Sequence, residues 1–143
     1  MNEDWIKVEN FIDKNTANLL YGHTLLASRR LRVMKELDSN FPINSPTQYG
    51  TYGDPTSVGN FCCYGDLIFD SLLLGKTSEL EKITGLSLTP QYTYYRIYTS
   101  GSHLQKHIDR PSCELSLTLC LGYDANYKWP MWFRYKNGEK ISV

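Results

Sequence analysis

His107 and Asp109 stand two residues apart in the run Lys106-His107-Ile108-Asp109-Arg110. On a β-strand, residues i and i+2 project from the same face, so an imidazole and a carboxylate would converge there. They are two of the three side chains of a two-His-one-carboxylate triad, which holds Fe(II) and leaves coordination positions open. With three His among 143 residues, such a pair arises by chance on the order of 0.2 times. The flanking segments must therefore carry the argument.

Before the pair, residues 91–99 are rich in Tyr, Thr and Ile and read as a strand. Tyr92, Tyr94, Arg96 and Tyr98 share one face of it, and Thr93, Tyr95 and Ile97 the other. After the pair, residues 114–121 alternate strictly: Glu114, Ser116, Thr118 and Cys120 against Leu115, Leu117, Leu119 and Leu121. The apolar row predicts a face packed on the helices, and the small polar row fits either a cavity lining or a solvent-facing edge. Residues 130–135 and 139–143 flank Lys136-Asn137-Gly138 and predict a hairpin, because Asn-Gly readily adopts the positive backbone dihedrals of a tight turn.

The first half supplies the support. Trp5, Ile6, Val8, Phe11 and Ile12 suggest a short strand and turn, after which Asp13 or Asn15 can cap a helix over residues 16–37. Leu19, Leu20, Leu26, Leu31, Met34 and Leu37 mark its expected buried stripe. Residues 40–59 collect Pro, Gly, Asn, Ser and Thr and predict a long loop, read either as a cover over a substrate or as a surface excursion. Helices are expected over 66–74 and 78–84, with Gly75 and Gly85 as stops. Helices first and antiparallel strands afterwards give an α+β class and a single domain over 1–143, with 1–89 mainly helical support and 90–143 carrying the strands.

Fifteen Lys and Arg balance fifteen Asp and Glu, which argues against a nucleic-acid partner that needs a broad basic patch. The basic residues from Arg29 to Lys35 read as a solvated helix face. No apolar stretch approaches the roughly 20 residues of a membrane span, and the N-terminus lacks the pattern of a secretion signal. The four cysteines show no zinc-like spacing, so free thiols in the cytoplasm are expected.

The run Pro90-Gln91-Tyr92-Thr93-Tyr94-Tyr95-Arg96-Ile97-Tyr98, then Gly101 and Leu104, then His107-Ile108-Asp109-Arg110-Pro111-Ser112-Cys113-Glu114 and Ser116-Leu117-Thr118-Leu119, resembles the iron- and 2-oxoglutarate-dependent dioxygenases of the prolyl 4-hydroxylase-like superfamily. The resemblance is specific over about residues 90–133. It implies a double-stranded β-helix, or jelly roll, carrying the N-terminal helices. It also implies His107 and Asp109 as iron ligands, Tyr98 reaching the 2-oxoglutarate carboxylate, and Thr118 and Cys120 lining the same pocket. The implied activity couples oxidative decarboxylation of 2-oxoglutarate to hydroxylation by O2 of a prolyl or other protein residue, or of a small molecule, with ascorbate as a reductant. Arg110 reads either as a donor that steadies Asp109 or as a surface residue beside Pro111.

The family's second iron-binding His and the Arg or Lys after it have no counterpart downstream of Asp109, where no His occurs. About five strands follow residue 90 where a closed jelly roll of this kind has eight. The expectation is thus an incomplete jelly roll with an open edge at 139–143, and an oxygenase fragment of little activity. Two other classes stay open. One is a non-catalytic jelly-roll binding domain, and the other a thiol enzyme pairing Cys113 or Cys120 with His107.

Overall fold

The computed structural model describes residues 5–127, 129–134 and 138–142. Asp13 starts the first helix: its carboxylate accepts from the amides of Asn15 (2.9 Å) and Thr16 (3.0 Å), satisfying donors that the first turn leaves free. Helix α1 spans Lys14–Leu37 and buries Leu20, Thr24, Ser28 and Leu31. Of the stripe expected from apolar spacing, Leu20 and Leu31 are buried, but Leu19, Leu26 and Leu37 are exposed. The buried face runs instead through two hydroxyl residues whose polar atoms are satisfied locally. Thr24 Oγ1 donates to the Tyr21 carbonyl (2.7 Å), and Ser28 Oγ lies 2.9 Å from the Tyr52 hydroxyl. Small, satisfied hydroxyls allow the 40–59 loop to approach, and a count of apolar residues passes over them.

Strand β1 (Phe61–Tyr64) pairs antiparallel with β2 (Tyr94–Ile97), with Phe61 opposite Ile97, Cys62 opposite Arg96 and Cys63 opposite Tyr95. Between them lies α2, Leu67–Thr84, capped by Asp66, whose carboxylate accepts from Ile68 N (3.0 Å), and closed by Gly85 in the left-handed conformation. Leu20, Leu31, Phe61, Cys63, Phe69 and Tyr95 form the core, in which the Phe69 and Tyr95 rings lie 4.7 Å apart. A strand from the first 89 residues thus pairs with one from the second part of the chain.

Three local expectations differ from the structure. The break at Gly75 is absent. A glycine inside a helix costs only about 1 kcal/mol, and Phe69 and Leu80, buried on either side, keep the helix continuous. Residues 5–12 form no strand. Asn10 has φ 54°, Trp5, Ile6 and Val8 are exposed, and only Phe11 is buried. Residues 114–121 are irregular, with Leu115 and Leu117 45% and 47% exposed. Alternation sets which face a strand would bury, but a strand exists only where neighbouring backbone pairs with it, and residues 114–121 make no backbone hydrogen bond among the described residues.

The 40–59 loop is irregular as expected, yet it is built into the fold. Thr51 and Cys62 exchange backbone hydrogen bonds of 2.8 and 2.9 Å, Tyr52 N donates to Ile43 O (2.7 Å), and Ser57 is 1% exposed. Gly50 makes this passage possible: its φ is 96°, and a Cβ there would sit 2.6 Å from the Phe61 ring. At the far end β3 (Trp132–Arg134) and β4 (Lys140–Ser142) form the expected hairpin, with Phe133 opposite Ile141. Lys136 and Asn137 of its expected turn lie outside the described residues. The molecule is thus α+β, with two two-stranded antiparallel sheets, and β4 has a partner on one side only among the described residues. No helix among the described residues is long and apolar enough to cross a membrane.

Candidate functional site

Strand alternation divides β2 into two faces, as the sequence predicts. Tyr95 enters the core, while Tyr94 and Arg96, with Tyr98 beyond the strand end, face the other way and touch one another. Arg96 Nη1 donates to the Tyr98 hydroxyl (3.0 Å), and Nη2 donates to Asp54 Oδ2 (2.7 Å), Thr56 Oγ1 (2.9 Å) and the Tyr94 hydroxyl (2.9 Å). The Tyr94 hydroxyl also donates to Asp54 Oδ2. Arg96 Nε is buried without a hydrogen-bond partner among the described residues.

Opposing effects set the charge states here. Burial pushes the Asp54 carboxyl up, but hydrogen bonds from Thr56, Tyr94 and Arg96 outweigh it and hold the group well below the usual carboxylate range. Burial and the bond to Asp54 push the Tyr94 phenol far up, so it remains a neutral donor. Burial also works against the Arg96 charge, and the contacts to Tyr98 and Asp54 more than restore it. Sequence inspection placed Arg96 and its tyrosines on one face but missed Asp54. Its one local signal is the Gly53-Asp54-Pro55 turn, which says nothing about a partner 42 residues later.

The segment carrying His107 and Asp109 is irregular, yet it is tied down at both ends. Upstream, Gln105 N donates to Thr56 O (2.9 Å), Ser57 Oγ donates to His103 O (3.2 Å), and Ser102 Oγ donates to Asn60 Oδ1. Downstream, the Arg110 guanidinium lies 5.4 Å from the ring centres of both Tyr64 and Tyr92, which are stacked at 4.4 Å. Cys113 Sγ donates to the Tyr92 hydroxyl (3.2 Å). That hydrogen bond and partial burial push the Tyr92 phenol up to about 12. Arg110 therefore anchors the segment to the sheet and does not contact Asp109; cation–π attraction holds it there.

Between the anchors, His107 Nε2 lies 3.7 Å from Asp109 Oδ1, so the two side chains do converge, although not on a strand. His107 Nδ1 is 2.8 Å from the Gln105 carbonyl. A carbonyl only accepts, so Nδ1 carries a proton in this contact, and Nε2 is the ring nitrogen that faces Asp109. Asp109 is positioned by Ser116 Oγ, which donates to Oδ2 (2.6 Å). Two mutually cis ligands of one ion with bonds of about 2.1 Å lie about 3.0 Å apart, so the observed 3.7 Å brings the two atoms near each other but wider than the cis spacing of a facial triad. The fit is to two positions of the triad: no group of three His, Cys, Asp or Glu converges among the described residues.

The remaining expected site residues are dispersed. Tyr98 is half-buried against Arg96 and Trp129, with no hydrogen bond to His107 or Asp109. Thr118 and Cys120 are exposed on the irregular 114–121 segment. Cys113 is turned toward Tyr92, so neither thiol of the Cys–His alternative meets His107. His103 is exposed. His23 Nε2 lies 2.8 Å from Asp66 Oδ2, tying α1 to the cap of α2 beside a cavity of about 240 Å³ lined also by Tyr49, Cys63 and Tyr95. No protein-family model, curated protein or solved structure matches the chain.

Proposed function

We propose that this chain is an Fe(II)- and 2-oxoglutarate-dependent dioxygenase domain of the jelly-roll type, hydroxylating a prolyl or other protein residue or a small molecule. The observation that carries this reading is the His107–Asp109 pair: one ring nitrogen is fixed by a backbone carbonyl, and the other is left facing a carboxylate oxygen 3.7 Å away. Metal-binding histidines characteristically donate their second N–H in this way, which fixes tautomer and ring orientation. The resemblance over residues 90–133 supports the same reading.

His107 and Asp109 would hold the metal. Fe(II) and 2-oxoglutarate, when bound, supply oxygen activation coupled to decarboxylation to succinate. The chain's part is positional. Gln105 orients the imidazole, Ser116 orients the carboxylate, and the Thr56 and Arg110 anchors keep both on the same side of the sheet. Tyr98 is the proposed contact for the cosubstrate carboxylate. Its phenol already accepts from Arg96, so its O–H is free to donate.

Only two ligands converge among the described residues, which favours a second reading: a domain that binds metal weakly and does not turn over. One pair of measurements separates the two. Under anaerobic conditions Mn(II) binding, read by electron paramagnetic resonance, is expected in the wild type and lost in His107→Ala and Asp109→Ala. Succinate release from 2-oxoglutarate with Fe(II) and O2 then marks the enzyme, and binding without succinate marks the second reading. Metal binding unchanged by His107→Ala sinks both.

A further inference from the structure

Cys63 and Tyr95 are cross-strand partners on the face of β1 and β2 that meets α1 and the 40–59 loop, and a cavity of about 240 Å³ lies there. Tyr94 and Arg96 project from the opposite face of the sheet, so this cavity is separate from the candidate site. Its floor is buried, with Cys63 4% and Tyr95 6% exposed. There Asp66 is satisfied within the fold: it accepts from Ile68 N (3.0 Å) and the Tyr95 hydroxyl (3.5 Å), and His23 Nε2 lies 2.8 Å away. The rim differs. Arg30 and Gln48, both exposed, line it, and neither side chain makes a hydrogen bond or ion pair among the described residues. Arg30 is nonetheless held in place, its guanidinium carbon 4.3 Å from the centre of the Tyr49 ring. Such stacking leaves the in-plane N–H groups of a guanidinium free to donate. Leu26, Ala27 and the Tyr49 ring supply apolar wall.

We propose that this cavity binds a small organic monocarboxylate with a compact apolar body, its acid group held by Arg30 and Gln48. Geometry, charge and volume select that class. A guanidinium with its planar edge free matches the two oxygens of a carboxylate. Among the lining residues Arg30 is the basic side chain without an acidic partner, since His23 faces Asp66. A singly charged acid balances it, whereas a phosphate brings nearly twice the charge. An apolar cavity of about 150 Å³ takes up benzene, so about 240 Å³ accommodates one ring and its acid group. Orientation follows from the same charges. The Asp66 carboxylate on the floor repels an acid group and Arg30 at the rim attracts it, so the apolar body points inward.

The test uses the full chain with benzoate as the probe. Calorimetric titration is expected to give a saturable Kd of about 1 mM or tighter, and amide NMR shifts should centre on residues 23–30, 48, 49 and 63. Benzamide, the same ring without the charge, should bind about tenfold more weakly, and so should benzoate to Arg30→Gln. Arg29→Gln, one residue away and outside the cavity lining, should leave the affinity unchanged. The benzamide comparison and the shift map need no variant, so they decide the matter should Arg30→Gln misfold. Absence of saturation by about 20 mM benzoate overturns the proposal, as do equal affinities for benzoate and benzamide or shifts centred elsewhere. Displacement of benzoate by an equal concentration of inorganic phosphate overturns it too, because a bare anion would then suffice.

Discussion

Arg96 and Asp54 form an ion pair of 2.7 Å, with the two side chains 10% and 15% exposed, across 42 residues of chain. The pair joins β2 to the 54–60 turn, and that turn in turn holds the segment carrying His107 through Thr56 O and Ser57 Oγ. The guanidinium is thus the link between the sheet and the loop that anchors the candidate site.

Removing one partner of such a pair leaves an uncompensated buried charge. Asp54→Ala is therefore expected to destabilise the fold by about 3–5 kcal/mol. Replacing both, as Asp54→Leu with Arg96→Met, should cost less than the sum of the single changes. Urea denaturation of the four proteins checks this, and additive losses would show that the two residues act separately.

The same pair makes stability depend on acid. Asp54 titrates lower in the folded than in the unfolded chain, where a carboxyl lies near about 3.9. Its contribution is complete above about pH 5 and is lost as pH falls through the unfolded value toward the folded one. The wild type should lose stability between about pH 5 and pH 3 more steeply than Asp54→Asn. Parallel melting temperatures across that window would remove Asp54 as a cause.

Two glycines should respond oppositely to alanine. At Gly75, inside α2 and with nothing within 4 Å of an added Cβ, alanine should stabilise by about 0.5–1 kcal/mol. At Gly50 the left-handed backbone alone costs about 1–2 kcal/mol, and the Phe61 ring stands 2.6 Å from the added atom. Thermal unfolding should rise for Gly75→Ala and fall for Gly50→Ala; a rise for both would mean that the 40–59 loop yields freely.

Burial pushes the Cys62 and Cys63 thiols up, which lowers their thiolate fraction as well as their access. Alkylation of the native protein followed by peptide mass spectrometry should leave both unmodified until denaturant is added. Rapid native labelling of Cys63 would show that the cavity beside His23 opens readily.

Much was legible in the residues alone. Asp13 announced a helix start, Gly85 a helix stop, and the alternation of 94–98 placed Tyr95 on one face and Arg96 with its tyrosines on the other, because capping and strand alternation depend on neighbours a few residues away. The spacing of His107 and Asp109 likewise implied two side chains that could meet. Other features depended on partners distant in sequence. Thr24 and Ser28 became core because Tyr52 and the Tyr21 carbonyl satisfied or shielded them, and Gly75 stayed helical because Phe69 and Leu80 were both buried. Residues 114–121 carried the strand pattern without forming a strand, since no backbone hydrogen bond joins them to another described segment. Asp54 found Arg96 only once β2 and the loop had folded together. Sequence by itself determined local backbone preference and side-chain face, which short-range sterics and hydrogen bonding set. Tertiary structure decided which distant groups meet, because burial and charge pairing depend on everything that packs around them.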